Sequence, residues 1–546
     1  MNGTRIPPMV KDAWSGYVAQ AQELPTYKLL LIGGAVLPVV CVVLNVLSQL
    51  LIPRRKSDPP VVFHWFPFIG SAIAYGTDPI NFFFWCREKY GNVFTFVLFG
   101  RRVTVALGAQ GNNFILGGKS TVFGAEEAYT HLTTPVFGKD VVYDVPNDKF
   151  MEQKKFVKVG LSTENMRVYV GMIEDEVEEF LNTDPAFASY QKKESQWGSH
   201  DVVKILSEIT ILTASRTLQG KEIRANLDKG FADLYTDLDG GFTPINFLFP
   251  NLPLENYRKR DVAQAKMSEF YQGFIRKRRQ GVDHEHDMIA ALMKQKYRSG
   301  EELKDHEVAH MMIALLMAGQ HTSSATGSWA LLHLAENPDI AEALYQEQIK
   351  HFGTPDGSLR SMTWEELREL PLMDAVIRET LRVHPPIHSI MRYVRDDVPV
   401  PATLSTPSEN TTYVVPKGHY VLASPLVSQM DPLVWREPGK WDPYRWSDPE
   451  GVAAQALKDY TDETGEKIDF GFGAVSKGTD SPYQPFGAGR HRCIGEQFAY
   501  LQLGVVISTL IRKLEFRLPG DVPKVDFTTM ITMPKEPRHI QYRRRT

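Results

Sequence analysis

Residues 1–28 are mixed and polar, whereas residues 29–52 are apolar almost without interruption, broken by Pro38, Asn45, Ser48 and Gln49 and carrying no formal charge. About 20 such residues cross a bilayer as a helix, so the stretch predicts one transmembrane anchor. Arg54, Arg55 and Lys56 follow immediately and predict that the chain beyond them stays cytosolic. A cleaved signal peptide would place a shorter apolar core nearer residue 1. Residues 1–28 are therefore expected on the lumenal side, where Asn2-Gly3-Thr4 is a glycosylation sequon. Residues 53–70, with Pro59, Pro60 and Pro67, read as a stiff linker.

Beyond the linker the apolar period alternates between that of strands and that of helices. Residues 93–98 and 102–107 are β-rich around Phe99-Gly100-Arg101 and predict a hairpin. From Met151 to about Lys350 the pattern is mostly helical, with loop signals at Gly240-Gly241 and at Pro250 to Pro253. A second β-rich patch covers residues 387–402 and 413–423, with a turn at Pro416-Lys417-Gly418. The expected fold is mainly α with smaller β-sheets, an α+β arrangement. No internal repeat interrupts it.

Charge and cysteine content remove several classes. Lys and Arg number 61 against 65 Asp and Glu, a net charge of −4, whereas a nucleic-acid binder normally shows a basic excess. The clusters at Arg258-Lys259-Arg260, Arg276 to Arg279 and Arg543 to Arg545 read as solvated faces. Three cysteines, Cys41, Cys86 and Cys493, are too few for a disulfide scaffold or a four-thiolate iron–sulfur cluster. Any cysteine chemistry here is that of a single thiolate.

Cys493 has the setting for it. Phe486-Gly487-Ala488-Gly489-Arg490-His491-Arg492-Cys493-Ile494-Gly495 places it in a basic, glycine-rich loop just before an apolar helical segment. Basic neighbours and the positive end of a helix dipole favour a thiolate, and glycines let backbone approach a flat ligand. Upstream, Glu379 and Arg382 stand at i,i+3 ahead of His384-Pro385-Pro386, which should end a helix. Residues 305–336 form an apolar run interrupted by Ala318-Gly319-Gln320-His321-Thr322-Ser323, which predicts a distorted turn beside a site.

The decapeptide around Cys493 resembles the haem-binding loop of the cytochromes P450. The resemblance implies a P450 fold over residues 71–546, with haem b held by Cys493 as axial thiolate. It also implies that Phe486 packs beside the thiolate and that Glu379, Arg382 and Arg445 form a structural triad. Trp441 stands where the family usually has Phe. Gly319 would lie along the haem and Ala318 against the substrate, with Thr322 and His321 delivering protons to O2. Most P450s have an acid before the threonine, and Ala318-Gly319-Gln320-His321-Thr322 fits instead the sterol 14α-demethylases. The segment Tyr129 to Asp144 resembles the signature of that subfamily, particularly its fungal members. Tyr129, Tyr143, Lys154, Arg392 and His491 then resemble haem-propionate partners. Leu132, Phe137, Phe242, Ile387, His388, Ser389, Met391 and Met530 resemble the wall of a sterol cavity.

The implied reaction is oxidation of the sterol 14α-methyl to alcohol and aldehyde, then C–C cleavage with release of formate, in ergosterol synthesis. No G-x-G-x-x-G opens a βαβ unit, so the chain is not expected to oxidise NADPH itself, and the resemblance implies a separate reductase that does. Expected partners are that P450 reductase, cytochrome b5, membrane lipid of the endoplasmic reticulum, and azole inhibitors at the haem iron. Arg490 and Arg492 are expected on the docking face. Three readings compete with this one: a P450 for another lipophilic substrate, an O2-independent haem isomerase or dehydratase, and a sterol or haem sensor without catalysis.

Overall fold

The computed structural model describes residues 25–192, 196–227, 229–281, 287–404, 412–459 and 479–545, so Asn2 and its sequon lie outside the described residues. Helix α1 (Thr26–Leu51) contains the apolar stretch. Within it, residues 34–51 are long and apolar enough to cross a membrane, and none of them is buried against the rest of the chain. The polar interruptions near its end have a local role. Asn45 Nδ2 donates to the carbonyls of His64 and Trp65 at 2.8 and 3.0 Å. Gln49 exchanges bonds with the His64 backbone at 2.8 and 3.1 Å.

Strands β1 (Val93–Leu98) and β2 (Arg101–Ala106) form the expected hairpin, with a tighter turn than the sequence suggests. Leu98 pairs with Arg101, so the loop is only Phe99-Gly100, both at positive φ. Two-residue hairpin turns need that twist. Phe99 tolerates it while packing against Phe68 and Phe249, with ring centroids 5.9 and 6.4 Å away. With β3 (Phe123–Gly124), β4 (Ile390–Val394) and β5 (Tyr420–Ala423) the hairpin builds a five-stranded sheet ordered β1-β2-β5-β4-β3. A smaller sheet joins Gly198–Asp201, Leu514–Arg517 and His539–Arg544.

Helices fill the remainder, and five of them frame the site. These are α2 (Val202–Ala214), α3 (Lys229–Asp239), α4 (Asp305–Glu336), α5 (Pro371–Val383) and α6 (Glu496–Lys513). α5 stops before His384-Pro385-Pro386, as the prolines require. α6 has Glu496 in its first turn and Arg512 and Lys513 in its last, the charge order that suits a helix dipole.

Helix α4 corrects one expectation. It runs unbroken through residues 318–323, with no distorted turn. Its polar side chains cross-link it to neighbours instead. Thr322 Oγ1 donates back to Ala318 O at 2.8 Å, and Gln320 Nε2 donates to Ser207 O on α2 at 3.4 Å. The irregularity lies next door, where Ser215–Gln219 continues α2 as a π turn.

The basic clusters are not uniformly solvated either. Arg260 and Arg278, eighteen residues and about five turns apart on the helix Glu255–Arg279, both face inward. Arg278 is bidentate to Asp287 at 2.7 Å. Arg543 pairs with Glu515 at 2.6 Å and lies over Trp197.

Candidate active site

The loop at residues 486–495 is folded by its own backbone. Cys493 N–H donates to Phe486 O at 3.0 Å and Arg492 N–H to Gly489 O at 3.1 Å, which sets the cysteine just ahead of α6. Gly489 has φ +67, and a Cβ there would lie 2.1 Å from Leu116 O, so only glycine lets the two backbones meet. Cys493 faces a cavity of about 1020 Å³.

Without a metal, burial outweighs the favourable neighbours and pushes the thiol up from its ordinary value. The Gly495 N–H, Lys154 and Arg492 oppose that shift. Arg492 helps little, because its guanidinium is bonded to Glu496 at 2.6 and 3.0 Å. A coordinated metal would deprotonate the thiol outright.

Polar groups gather along one rim of the cavity. Tyr129 and Tyr143 stack at 5.3 Å, and His491 lies against Phe150 at 5.7 Å. Tyr129 Oη accepts the Met391 N–H at 2.8 Å, which leaves its own O–H to donate. Lys154 Nζ donates to the carbonyls of Arg490 and Arg492 at 3.0 and 2.9 Å, and burial lowers its pKa to about 8. Arg392 is buried beside them, its Nη1 donating to Met391 O at 2.7 Å. His491 Nδ1 is buried with no partner among the described residues, and burial together with Arg392, Lys154 and Arg490 holds the ring neutral. Two phenols, two cations and an unpartnered imidazole nitrogen suit the carboxylates of a planar macrocycle seated on Cys493.

Ala318, Gly319 and Thr322 form the α4 wall, and Phe486 lies at the floor. Leu132, Phe137, Phe242, Ile387, His388, Ser389, Met391 and Met530 line the rest. Phe137 and Phe242 stack at 6.1 Å. His388 Nδ1 and Ser389 Oγ are 2.8 Å apart, and burial lowers the His388 pKa to about 4.

His321 does not join this wall. Its Nε2 lies 3.0 Å from Asp239 Oδ1 and 3.0 Å from Tyr235 Oη on α3, so the side chain points outward. Successive helical residues are rotated by about 100°, which separates His321 from Thr322.

The cytochrome P450 family profile matches residues 59–542. The chain belongs to the cytochrome P450 family. Over 514 residues it is 56% identical to the lanosterol 14-alpha demethylase of Mycosarcoma maydis, covering 92% of this chain and 90% of that one. Over 508 residues it is 49% identical to the eburicol 14-alpha-demethylase of Uncinula necator, covering 92% and 93%. Among solved structures, a retinoic acid-bound cyanobacterial CYP120A1 matches with TM-score 0.71 at 21% identity, over 90% of this chain and all of that one. That likeness carries the fold alone.

Behind the floor of this P450, Glu379 and Arg382 are fully buried and bidentate at 2.8 and 2.9 Å. Arg445 reaches Glu379 Oε1 at 3.3 Å, the Asp442 N–H reaches it at 3.0 Å, and Trp446 Nε1 reaches Oε2 at 3.0 Å. Trp446 and Asp442 were not singled out in the sequence, although they flank Arg445 there. Tyr235 and Asp239 were also missed. The one available signal was an acidic residue directly ahead of Gly240-Gly241, at the end of a helix.

Arg492 is a further correction. It is only 4% exposed and is held by Glu496, so it offers nothing to a docking partner, whereas Arg490 is exposed.

Proposed function

We propose that this P450 removes the 14α-methyl group of lanosterol or eburicol by successive O2- and NADPH-dependent oxidations, releasing formate. The observation that carries the reading is one long apolar cavity with Cys493 on its floor and the Thr322 hydroxyl in its wall. The names and high identity of the fungal relatives point to the same substrate class. A sterol is rigid and apolar, so burial supplies most of its affinity, and a few polar groups fix its direction. Leu132, Phe137, Phe242, Met391 and Met530 provide the apolar contact, and His388, kept neutral at physiological pH, and Ser389 provide the polar end.

Haem b would be held by Cys493 through the sulfur, with Tyr129, Tyr143, Lys154, Arg392 and His491 as donors to its propionates. When bound, it supplies O2 activation with electrons delivered from outside the chain. Each oxidation consumes one O2, two electrons and two protons: the first leaves the alcohol and one water, the second the aldehyde and two waters, and the third the 14,15-alkene, formate and one water. Thr322 Oγ1 holds a proton at the cavity wall, and its bond to Ala318 O fixes where the hydroxyl sits. His321, bonded to Asp239 and Tyr235, stands one residue behind and faces away from Thr322, so its part in proton delivery is to hold a proton beside the partly exposed Asp239 carboxylate on the far side of the helix. The apolar lining excludes water from the methyl carbon.

On this reading the electrons come from an NADPH–P450 reductase on the same membrane, with cytochrome b5 as a second donor and Arg490 on the docking face. The apolar N-terminal helix supports a membrane anchor, and on this reading the membrane is that of the endoplasmic reticulum with the catalytic domain in the cytosol. Azoles would compete by ligating the iron from the cavity side. Titration of the holoenzyme with lanosterol and eburicol, read by the haem spin state, tests the substrate class. A saturable shift is expected with each, and no shift with either would overturn it.

A further inference from the structure

The strands β6 (Val525–Asp526) and β7 (Met533–Pro534) form a hairpin whose tip, residues 527–531, faces the cavity throughout. The strands share only two residue pairs, Val525 with Pro534 and Asp526 with Met533. So short a ribbon does not hold its own position in water. Bonds inside the tip fix its shape but not its place. Thr528 N and Oγ1 donate to Asp526 Oδ1 at 2.9 and 2.7 Å, and Thr529 Oγ1 donates to Ile531 O at 2.5 Å.

Val525 and Met533 pack on the core and Phe527 lies 5.7 Å from the His388 ring, but the hydrogen-bonded anchor beside the tip is Thr532, which is 1% exposed. Each of its polar groups is engaged outside the hairpin. Its N–H donates to Pro386 O at 3.0 Å, its Oγ1 donates to Pro385 O at 2.6 Å, and its carbonyl accepts from Trp329 Nε1 at 3.3 Å. Pro385 and Pro386 lead directly into the cavity-lining residues Ile387 to Arg392. Trp329 is on α4 about two turns beyond Thr322. It cannot swing away, because it is fully buried and its ring lies 3.7 Å from the His384 ring at an interplanar angle of 3°. Three walls of the cavity therefore meet at one threonine.

We propose that Thr532 is a positioning residue for substrate recognition: it pins the hairpin tip to residues 385–386 and to α4, and so sets the wall against which a long rigid ligand must fit. The proposal rests on the sterol reading above. Replacing the hydroxyl by a methyl group in Thr532→Val keeps the shape and leaves Pro385 O without its donor. A loosened tip penalises a ligand that fills the cavity and spares one that does not reach it.

The test compares lanosterol with imidazole in the holoenzyme, each titrated by its absorbance shift, together with steady-state turnover. For Thr532→Val, lanosterol binding is expected to weaken about tenfold, as for one lost buried hydrogen bond. KM should rise with kcat nearly unchanged, and imidazole affinity should stay within about twofold. Thr532→Ser keeps the hydroxyl and should restore lanosterol binding. Should Thr532→Val fail to take up haem, Trp329→Phe removes the other tether without the hydroxyl change and should shift lanosterol in the same direction. Unchanged lanosterol affinity in whichever of these variants folds would overturn the proposal. So would a serine variant as weak as the valine one, or an equal loss for both ligands. A wild-type protein that binds imidazole but not lanosterol would overturn the sterol reading itself.

Discussion

Glu379→Gln is the substitution that most sharply separates the buried triad from an ordinary ion pair. The wild-type carboxylate receives five donors: two from Arg382, and one each from Arg445, the Asp442 N–H and Trp446 Nε1. Glutamine keeps the volume but turns one acceptor oxygen into an NH2 group that faces donors. It also removes the charge opposite Arg382, whose side chain is 0% exposed. Arg382 would retain the carbonyls of Gln429, Pro438 and Lys440 at 2.9, 2.8 and 3.1 Å, which orient it without neutralising it. Breaking a buried pair from one side costs about 3–5 kcal/mol, against a total stability of about 5–15 kcal/mol for a folded domain. Arg445→Ala is the internal control. Its side chain is 15% exposed, its bond to Glu379 is 3.3 Å long and it also donates to Arg436 O at 2.8 Å, so about 2 kcal/mol is expected. Urea unfolding read by tryptophan fluorescence, with haem content measured in parallel, gives both numbers. Glu379→Gln within 1 kcal/mol of wild type, or no worse than Arg445→Ala, would refute the reasoning.

Thr322→Ala should leave the haem spectrum intact while product per NADPH falls and peroxide rises; unchanged coupling would remove the proton-holding role from Thr322. His200 is 6% exposed, has no hydrogen-bond partner for either ring nitrogen among the described residues, and is held neutral by burial, its pKa lowered to about 4. The unfolded chain takes up that proton below about pH 6.5, so the folded state should lose stability between about pH 6.5 and 4, by up to about 3 kcal/mol. His200→Phe, stacked on Tyr542 and edge-on to Phe187, should flatten that part of the stability–pH curve, and a curve parallel to wild type would contradict this. Arg490→Glu should slow haem reduction by the reductase without altering sterol affinity, and stopped-flow reduction measured beside a sterol titration checks both halves.

The Cys493 loop was legible because its chemistry is contained in ten consecutive residues, and α1 because a charge-free apolar run has few alternatives. The hairpin strands were legible from composition, but their register was not. It depended on Phe99 accepting a positive φ in exchange for contact with Phe68 and Phe249, residues distant in the chain. The polar segment at 318–323 misled for a related reason. Its hydrogen-bond partners, Ser207, Tyr235 and Asp239, lie on two other helices, so a local reading saw a break where the fold makes cross-links. The inward turn of Arg260 and Arg278 follows helical phase and could have been read from their spacing. Neither the pairing of Arg492 with Glu496 nor the node at Thr532 announces itself, since each depends on which side chains the tertiary fold brings into reach.

The most direct test of the whole account is reconstituted turnover with reductase, NADPH, O2 and a sterol labelled at the 14α-methyl carbon. The account predicts labelled formate, one per sterol consumed, with a product carrying a 14,15 double bond. Sterol that binds and drives NADPH oxidation yet keeps its labelled methyl group would contradict it.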